Sequence, residues 1–396
     1  MVVWRKPVGI AVGCGLLAAG VLAAPAAGAA GQAGQAAGTR PAAHAGPAQG
    51  RFPAAVERAL RDAVDRTKAA TGAPGVTVGV WAPGRGSFTY TPGVADLSTG
   101  RPLQAADRVR IASITKTYTA TAVLRLVDRH LIGLDDPLSR YLDWPDGDRI
   151  TVRQLLNMTA GVYSYTEDPA FLARYHAHPF GPFSPGDALA VARAHPPYFA
   201  PGAGFHYSDT NYVLLGIVLE RATGRPVGDV IRREVVQPLG LRSTEYPSDP
   251  SIRRPFAHGY DTGGPGGALR DVTRANPGYA GAAGAMISDL GDLRTWARAL
   301  SEGTLLSPRT HAAQLETVPV ADGGQVSYGL GILDFAGFLG HNGAILGYNS
   351  AMFRLPETGA TIVVEITKCD LEDDAATPLF VELARILYPE RFPAAG

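Results

Sequence analysis

Apolar positions change their rhythm twice along the chain. Over residues 53–70, Val56, Leu60 and Val64 recur at helical spacing with charged residues between them, which predicts a helix. Val76 to Trp81 and Ser87 to Tyr90 read as paired strands around the turn Pro83-Gly84-Arg85-Gly86. Residues 113–130 return to apolar recurrence at three and four. The stretch 151–245 reads as helix and loop, broken by prolines over 179–201, with a strong helix from Tyr212 to Ala222 that stops at Gly224. The last third is strand-like again: Gly329 to Asp334, Ile345 to Leu355, and Ala360 to Thr367 across the turn Pro356-Glu357-Thr358-Gly359. Thr377 to Leu387 reads as a closing helix. Strands at both ends around a helical middle predict an α/β (α+β) sheet domain carrying a helical insertion, with a cleft between the two.

The N-terminus is expected to lie outside this domain. Arg5 and Lys6 precede an apolar run from Pro7 to Ala24, and small residues follow at Ala24, Pro25 and Ala26 and again at Ala27, Gly28 and Ala29. That is the layout of a secretory signal over residues 1–29, the alternative being an uncleaved anchor. Residues 30–51, rich in Gly, Ala, Gln and Pro, read as a flexible leader, so the folded unit is expected over 52–392. With Cys14 in the signal, Cys369 is the single thiol of the mature chain, no intrachain disulfide is possible, and Cys369 reads as a buried small residue. Export predicts a secreted, extracellular protein without a stable membrane partner, and a monomer. Lys plus Arg number 36 and Asp plus Glu 36, a balance that argues against coating nucleic acid or an anionic membrane. A hydrophobic fraction of 46% excludes disorder along the whole chain.

Of the 36 basic residues only Lys6, Lys68, Lys116 and Lys368 are lysines, which makes each informative. Lys116 alone has a serine three positions upstream, in Ser113-Ile114-Thr115-Lys116 at a helix start. One helical turn puts the hydroxyl and the amine on one face, where lysine can take or hold the hydroxyl proton and the helix N-terminus favours developing negative charge. A surface serine and lysine is the bland alternative. The chain has no Gly-x-Ser-x-Gly elbow and no His-Glu-x-x-His motif.

Two later segments add to this pair. Tyr207-Ser208-Asp209 stands just ahead of a helix, and Gly340-His341-Asn342-Gly343-Ala344 opens a strand in which a glycine lets a substrate backbone come close. Here the chain resembles the serine β-lactamase and DD-peptidase superfamily, in particular its AmpC-type β-lactamases and Streptomyces-type D-alanyl-D-alanine carboxypeptidases. The order Ser-x-x-Lys, Tyr-x-Asn, His-x-Gly is shared but for Asp209, and Asp148–Tyr163, Gly284–Leu293 and Tyr328-Gly329-Leu330-Gly331 look similar too. The resemblance, over about residues 53–390, implies a β-lactamase/transpeptidase-like fold: an antiparallel sheet with flanking helices, a helical subdomain, and the active site between them.

The resemblance also implies roles. Ser113 would be the nucleophile forming an acyl-enzyme, with Lys116 and Tyr207 sharing the proton traffic, since a phenol beside an ammonium ionises more readily. The backbone N–H groups of Ser113 and Ala344 would form the oxyanion hole. His341 would take a catalytic or a structural place on the strand facing the serine. Asp209, Asn342 and Gly343 would stand at substrate-binding positions. No cofactor and no metal are implied, and the other histidines (His176, His178, His195, His206, His258, His311) read as loop or surface residues.

The departures carry information as well. Asp209, where an asparagine is usual, cannot donate to a substrate carbonyl; it would hold Lys116 as the ammonium, or cap the helix beginning near Asn211. Asn342 and Ala344 replace two hydroxyl-bearing positions, and Ile332, Leu333, Asp334 and Phe335 bring no cation after Tyr328-Gly329-Leu330-Gly331. The expected function is a secreted serine hydrolase acting on a small-molecule or peptide substrate: a D-amino-acid peptide, an ester or a β-lactam. A true carboxypeptidase, an esterase, an acyltransferase and a catalytically silent binding protein remain the alternatives, with weak activity expected on free carboxylates.

Overall fold

The structure, a computed structural model, describes residues 50–392 apart from 264–266, 322–323 and 372. The signal over 1–29 and nearly all of the leader lie outside the described residues. At the leader's end, Gly50 O accepts from Ser87 N at 2.9 Å and Arg51 bridges beside Ser87, so these two residues already join the folded unit expected from Phe52.

Eight strands form one sheet: β1 (Val76–Ala82), β2 (Gly86–Tyr90), β3 (Val318–Pro319), β4 (Val326–Tyr328), β5 (Leu333–Phe335), β6 (Phe338–Ile345), β7 (Tyr348–Leu355) and β8 (Ala360–Ile366). They lie in the order β2-β1-β8-β7-β6-β5-β4-β3, with antiparallel neighbours throughout. β1 and β8 are buried at every residue, which is why they read as unbroken apolar runs instead of alternating ones. Helices α1 (Ala54–Thr71) and α5 (Ala376–Leu387) cover one face, and α4 (Leu290–Ser301) covers the other. Between β2 and β3 comes the helical region, in which α2 (Thr115–Asp128) packs against α3 (Asp209–Thr223). This is the layered arrangement predicted: an antiparallel sheet flanked by helices, with a helical insertion.

Three expected boundaries move. The run Gly329–Asp334 is not one strand: β4 ends at Tyr328, β5 begins at Leu333, and the residues between turn back. Gly331 has φ +77°, donates to Leu156 O at 3.2 Å, and a Cβ there would lie 2.2 Å from the Cβ of Ala120 on α2. The run Ile345–Leu355 likewise contains a reversal, Leu346-Gly347, with Gly347 at φ +88°, so β6 and β7 form a hairpin. The helix expected over 113–130 is a single 3-10 turn, Ala112–Ile114, followed by α2. Cys369 is fully buried, as expected, and burial pushes its thiol up to about 12.

Register places a polar row across the middle of the sheet. Thr77 faces Glu365, Glu365 faces Ser350, and Ser350 faces Gly343. Glu365 is buried on the inner strand β8, and neither carboxylate oxygen has a hydrogen-bond partner among the described residues. Burial, with Asp289 and Asp107 adding to it, holds its pKa well above the ordinary value of 4.5. The folded chain therefore keeps Glu365 protonated where the unfolded chain ionises it. Stability from this group is intact below the unfolded value and is lost as pH rises towards the folded one. Glu365→Gln should raise the melting temperature, by an amount that grows with pH between ~5 and ~8, at about 1.4 kcal/mol per unit while the folded carboxyl stays neutral. Thermal denaturation of both proteins across that range checks it; parallel curves would mean that Glu365 is not held neutral.

Candidate active site

Ser113 is presented by a strained turn. Ala112, the residue before it, has φ +47°, a conformation that costs a non-glycine residue about 1 kcal/mol and persists only where its surroundings impose it. Those surroundings are β6 and β7. Ser350 Oγ donates to Ile111 O at 3.0 Å, and Ile111 N donates to Met286 O at 3.0 Å. A Cβ on Gly343 would fall 2.7 Å from Ser113 N, 2.8 Å from Ile111 O and 2.9 Å from the Ala112 Cβ. Gly343 thus admits the backbone that carries Ser113.

Lys116 follows one turn later with no exposure to solvent. Its Nζ donates to Ser113 Oγ at 2.9 Å, Asp209 Oδ1 at 2.6 Å and Ala283 O at 2.9 Å. Three acceptors match the three hydrogens of an ammonium. Burial pulls the lysine pKa below its ordinary value and Asp209 pulls it back up. Of the two readings of Asp209, the geometry selects the ion pair. The residue is the first of α3, not its cap; its second oxygen accepts from Thr166 Oγ1 at 2.9 Å, while its N–H donates to Ser164 Oγ at 3.1 Å. The helix begins at Asp209 instead of near Asn211.

Tyr207 is half-buried, with its ring centroid 4.9 Å from Lys116 Nζ. Burial and the Asp209 carboxylate hold its phenol well above the ordinary range, and Ser113 pulls weakly the other way. This reverses the expected easing of ionisation, because burial first, and then the Asp209 carboxylate, disfavours the phenolate. His341 is wholly buried: Nδ1 lies 2.6 Å from Asn342 O and Nε2 3.0 Å from the Tyr328 hydroxyl. A carbonyl can only accept, so Nδ1 carries the proton and Nε2 accepts from Tyr328. Burial, then the charge of Lys116, pushes its pKa down to about 3. His341 is a neutral spacer here, which favours its structural role.

A family model described as Beta-lactamase matches residues 60–385. The chain belongs to that family. Among solved structures, a D-stereospecific amidohydrolase from Streptomyces sp. is 35% identical with a TM-score of 0.75, over 86% of this chain and 99% of that one. A D-amino acid amidase from Ochrobactrum anthropi SV3 is 27% identical with a TM-score of 0.72, over 86% of this chain and 100% of that one. A D-aminopeptidase of Brucella anthropi is 29% identical over 280 residues, 69% of this chain and 52% of that protein. The chain spans between about one third and two-thirds of the length of the first curated relatives it matches. These neighbours place the protein among the β-lactamase-related serine hydrolases.

In this β-lactamase-family site the strand β6 borders the serine. β5 pairs only with Phe338–Gly340, so beyond that point this edge of β6 has no strand beside it. Ala344 is exposed there, and Asn342, half-buried, donates to Asp374 Oδ2 at 3.1 Å and Thr377 Oγ1 at 2.9 Å. On the helical side a stack of rings runs from His195 over Tyr163 (4.0 Å) and Tyr198 (5.3 Å) to His206 (3.6 Å). Glu167 accepts from Tyr198 at 2.6 Å and faces His206 Nε2 at 2.8 Å, so His206 is tied into a wall rather than being a plain surface residue. Sequence reasoning missed Ser164, Thr166, Ala283 O, Asp374 and Thr377. The first two are ordinary polar residues in a loop and the third is a carbonyl, so nothing in their type announces them.

The Lys116–Asp209 pair can be tested without any substrate. Asp209→Asn removes the one carboxylate beside a buried ammonium, so the Lys116 midpoint should fall by about one pH unit or more. Selective ¹³C labelling of lysine gives one Cε signal for each of four residues, and the titration of the Lys116 signal reads the shift. An unmoved midpoint would mean that Asp209 does not set the charge of Lys116.

Proposed function

We propose that this chain is an exported, monomeric serine amidohydrolase that cleaves amides and simple esters of D-configured aminoacyl or short peptidyl groups through a covalent ester on Ser113. The observation that carries the proposal is the hydrogen-bonded line Ser113–Lys116–Asp209, laid beside a strand edge where Asn342 and Ala344 offer no cation. The D configuration and the amide class come from the names of the two amidase-type structures, each matched along nearly its whole length.

Atoms balance in the following way. Ser113 Oγ attacks the carbonyl carbon while the Lys116 ammonium, donating to Oγ at 2.9 Å, stabilises the charge that develops on it. The Tyr207 phenol, too weak an acid to rest as phenolate, accepts the serine proton as it gives its own to the leaving nitrogen or oxygen. The carbonyl oxygen is received by the N–H groups of Ser113 and Ala344. Water then takes the leaving group's place and reverses the proton path, freeing the acid and Ser113. A carboxypeptidase reading is weaker, because a terminal carboxylate wants charged donors and finds Asn342, Ala344 and Asp374.

Two measurements test the proposal. Intact-mass spectrometry with a p-nitrophenyl D-aminoacyl ester should show an acyl adduct on the wild type and none on Ser113→Ala, which loses one small hydroxyl and should stay folded. The kcat/KM for a D-alanyl-D-alanine peptide should fall below that for its C-terminal amide. A preference of about tenfold for the free acid, ~1.4 kcal/mol, would restore the carboxypeptidase. Transfer of the acyl group to an added amine in preference to water would make the protein an acyltransferase.

A further inference from the structure

We infer that Asp374 decides what the cleft accepts at the Asn342 end of β6, selecting a substrate end that donates N–H (a carboxamide or an ammonium) over one that ends in a carboxylate. The proposed chemistry at Ser113 enters only to say where the substrate lies. Along β6, His341 and Gly343 face the Ser113 turn, so Asn342 and Ala344 point to the other side of the strand at its open edge. Ala344 brings no polar atom. Both amide hydrogens of Asn342 are committed, to Asp374 Oδ2 at 3.1 Å and Thr377 Oγ1 at 2.9 Å, and a carboxylate partner fixes which end of the amide is nitrogen. Its Oδ1 is left, with no protein donor among the described residues.

Asp374 is exposed, and its Oδ1 accepts from Thr377 N at 3.1 Å. The basic residue nearest in the chain, Lys368, lies 3.7 Å from Asp370 instead, and no Lys or Arg among the described residues pairs with Asp374. The rim thus offers lone pairs and the negative charge of Asp374, which caps the start of α5 and has no Lys or Arg paired to it among the described residues. An N–H group is satisfied by both. A carboxylate meets a like charge and lone pairs, with the Thr377 hydroxyl, which accepts from Asn342, as an uncharged donor; an exposed site still penalises that.

The experiment reads binding and turnover separately. In the Ser113→Ala background, calorimetry gives the Kd of a D-alanyl-D-alanine peptide and of its C-terminal amide. Asp374→Asn keeps the shape and the bond from Thr377 N but loses the acceptor for Asn342 Nδ2, so Asn342→Ala, which breaks the same bond and keeps the charge, is the control: a merely structural role predicts the same amide-to-acid ratio in both variants. Loss of a selecting charge predicts that the preference for the amide falls about fivefold, and further in Asp374→Arg. The shift should shrink at ~1 M salt, where exposed charges are screened. An unchanged ratio in Asp374→Asn and Asp374→Arg, or an equal fall in Asn342→Ala, overturns the inference. A shifted binding ratio in a protein whose Ser113 never acylates would overturn the proposed catalysis and leave the selectivity of Asp374 standing.

Discussion

The buried Lys116–Asp209 pair is the constraint around which the rest of the site is arranged. A lysine with no exposure to water is tolerable only if its charge is matched and each of its hydrogens accepted. Those acceptors come from three places: the Ser113 turn, the start of α3, and the carbonyl of Ala283 in the short helix Gly281–Gly284. One side chain therefore ties the Ser113 segment to the helical insertion. Removing one partner of such a pair typically costs about 3–5 kcal/mol, far more than an exposed ion pair. The same bonds that satisfy the lysine also fix the distance between Ser113 and the elements that flank it.

The sheet supplies the second half of that precision. Ala112 occupies a conformation it would not choose, and it is held there because β6 lies against it without a side chain at Gly343. Ser350 on β7 reaches the carbonyl of Ile111 from the same face. Strain at Ala112, beside Ser113, is thus balanced by the hairpin β6–β7, whose position is set in turn by the buried β8 beside it. Glu365 sits in that row as a neutral acid, a polar residue that the sheet tolerates at a cost set by pH.

Much of this was legible in the chain, and the failures have physical causes. α1, β1, β2, β8 and α5 were read close to their ends because their apolar spacing or runs are strong and Gly or Pro marks their limits. The two reversals at Gly331 and Gly347 were hidden because apolar residues continue through them, and one glycine inside such a run looks like part of a strand. At the site, Ser113, Lys116, Tyr207, Asp209 and His341 do come together, since their types and spacing encode a rare chemistry. Their charge states were not legible. Whether Tyr207 ionises easily, or His341 carries a proton, depends on burial and on Asp209, which a linear motif does not contain.

The charge of the whole site follows from one atom's change of type. An asparagine at position 209 would have left the Lys116 charge unbalanced, an attraction for any anionic substrate. The carboxylate of Asp209 cancels that charge at 2.6 Å, and His341, driven neutral by burial and by Lys116 itself, adds none back. Under the proposed function, Glu167 and Asp374 add to the sign that a substrate meets. With the cation neutralised inside and carboxylates outside, electrostatics works against anionic ends before any shape is considered. Under the proposed function, catalysis and selectivity are therefore coupled: the carboxylate that holds the Lys116 ammonium beside Ser113 also removes the pull on a terminal carboxylate.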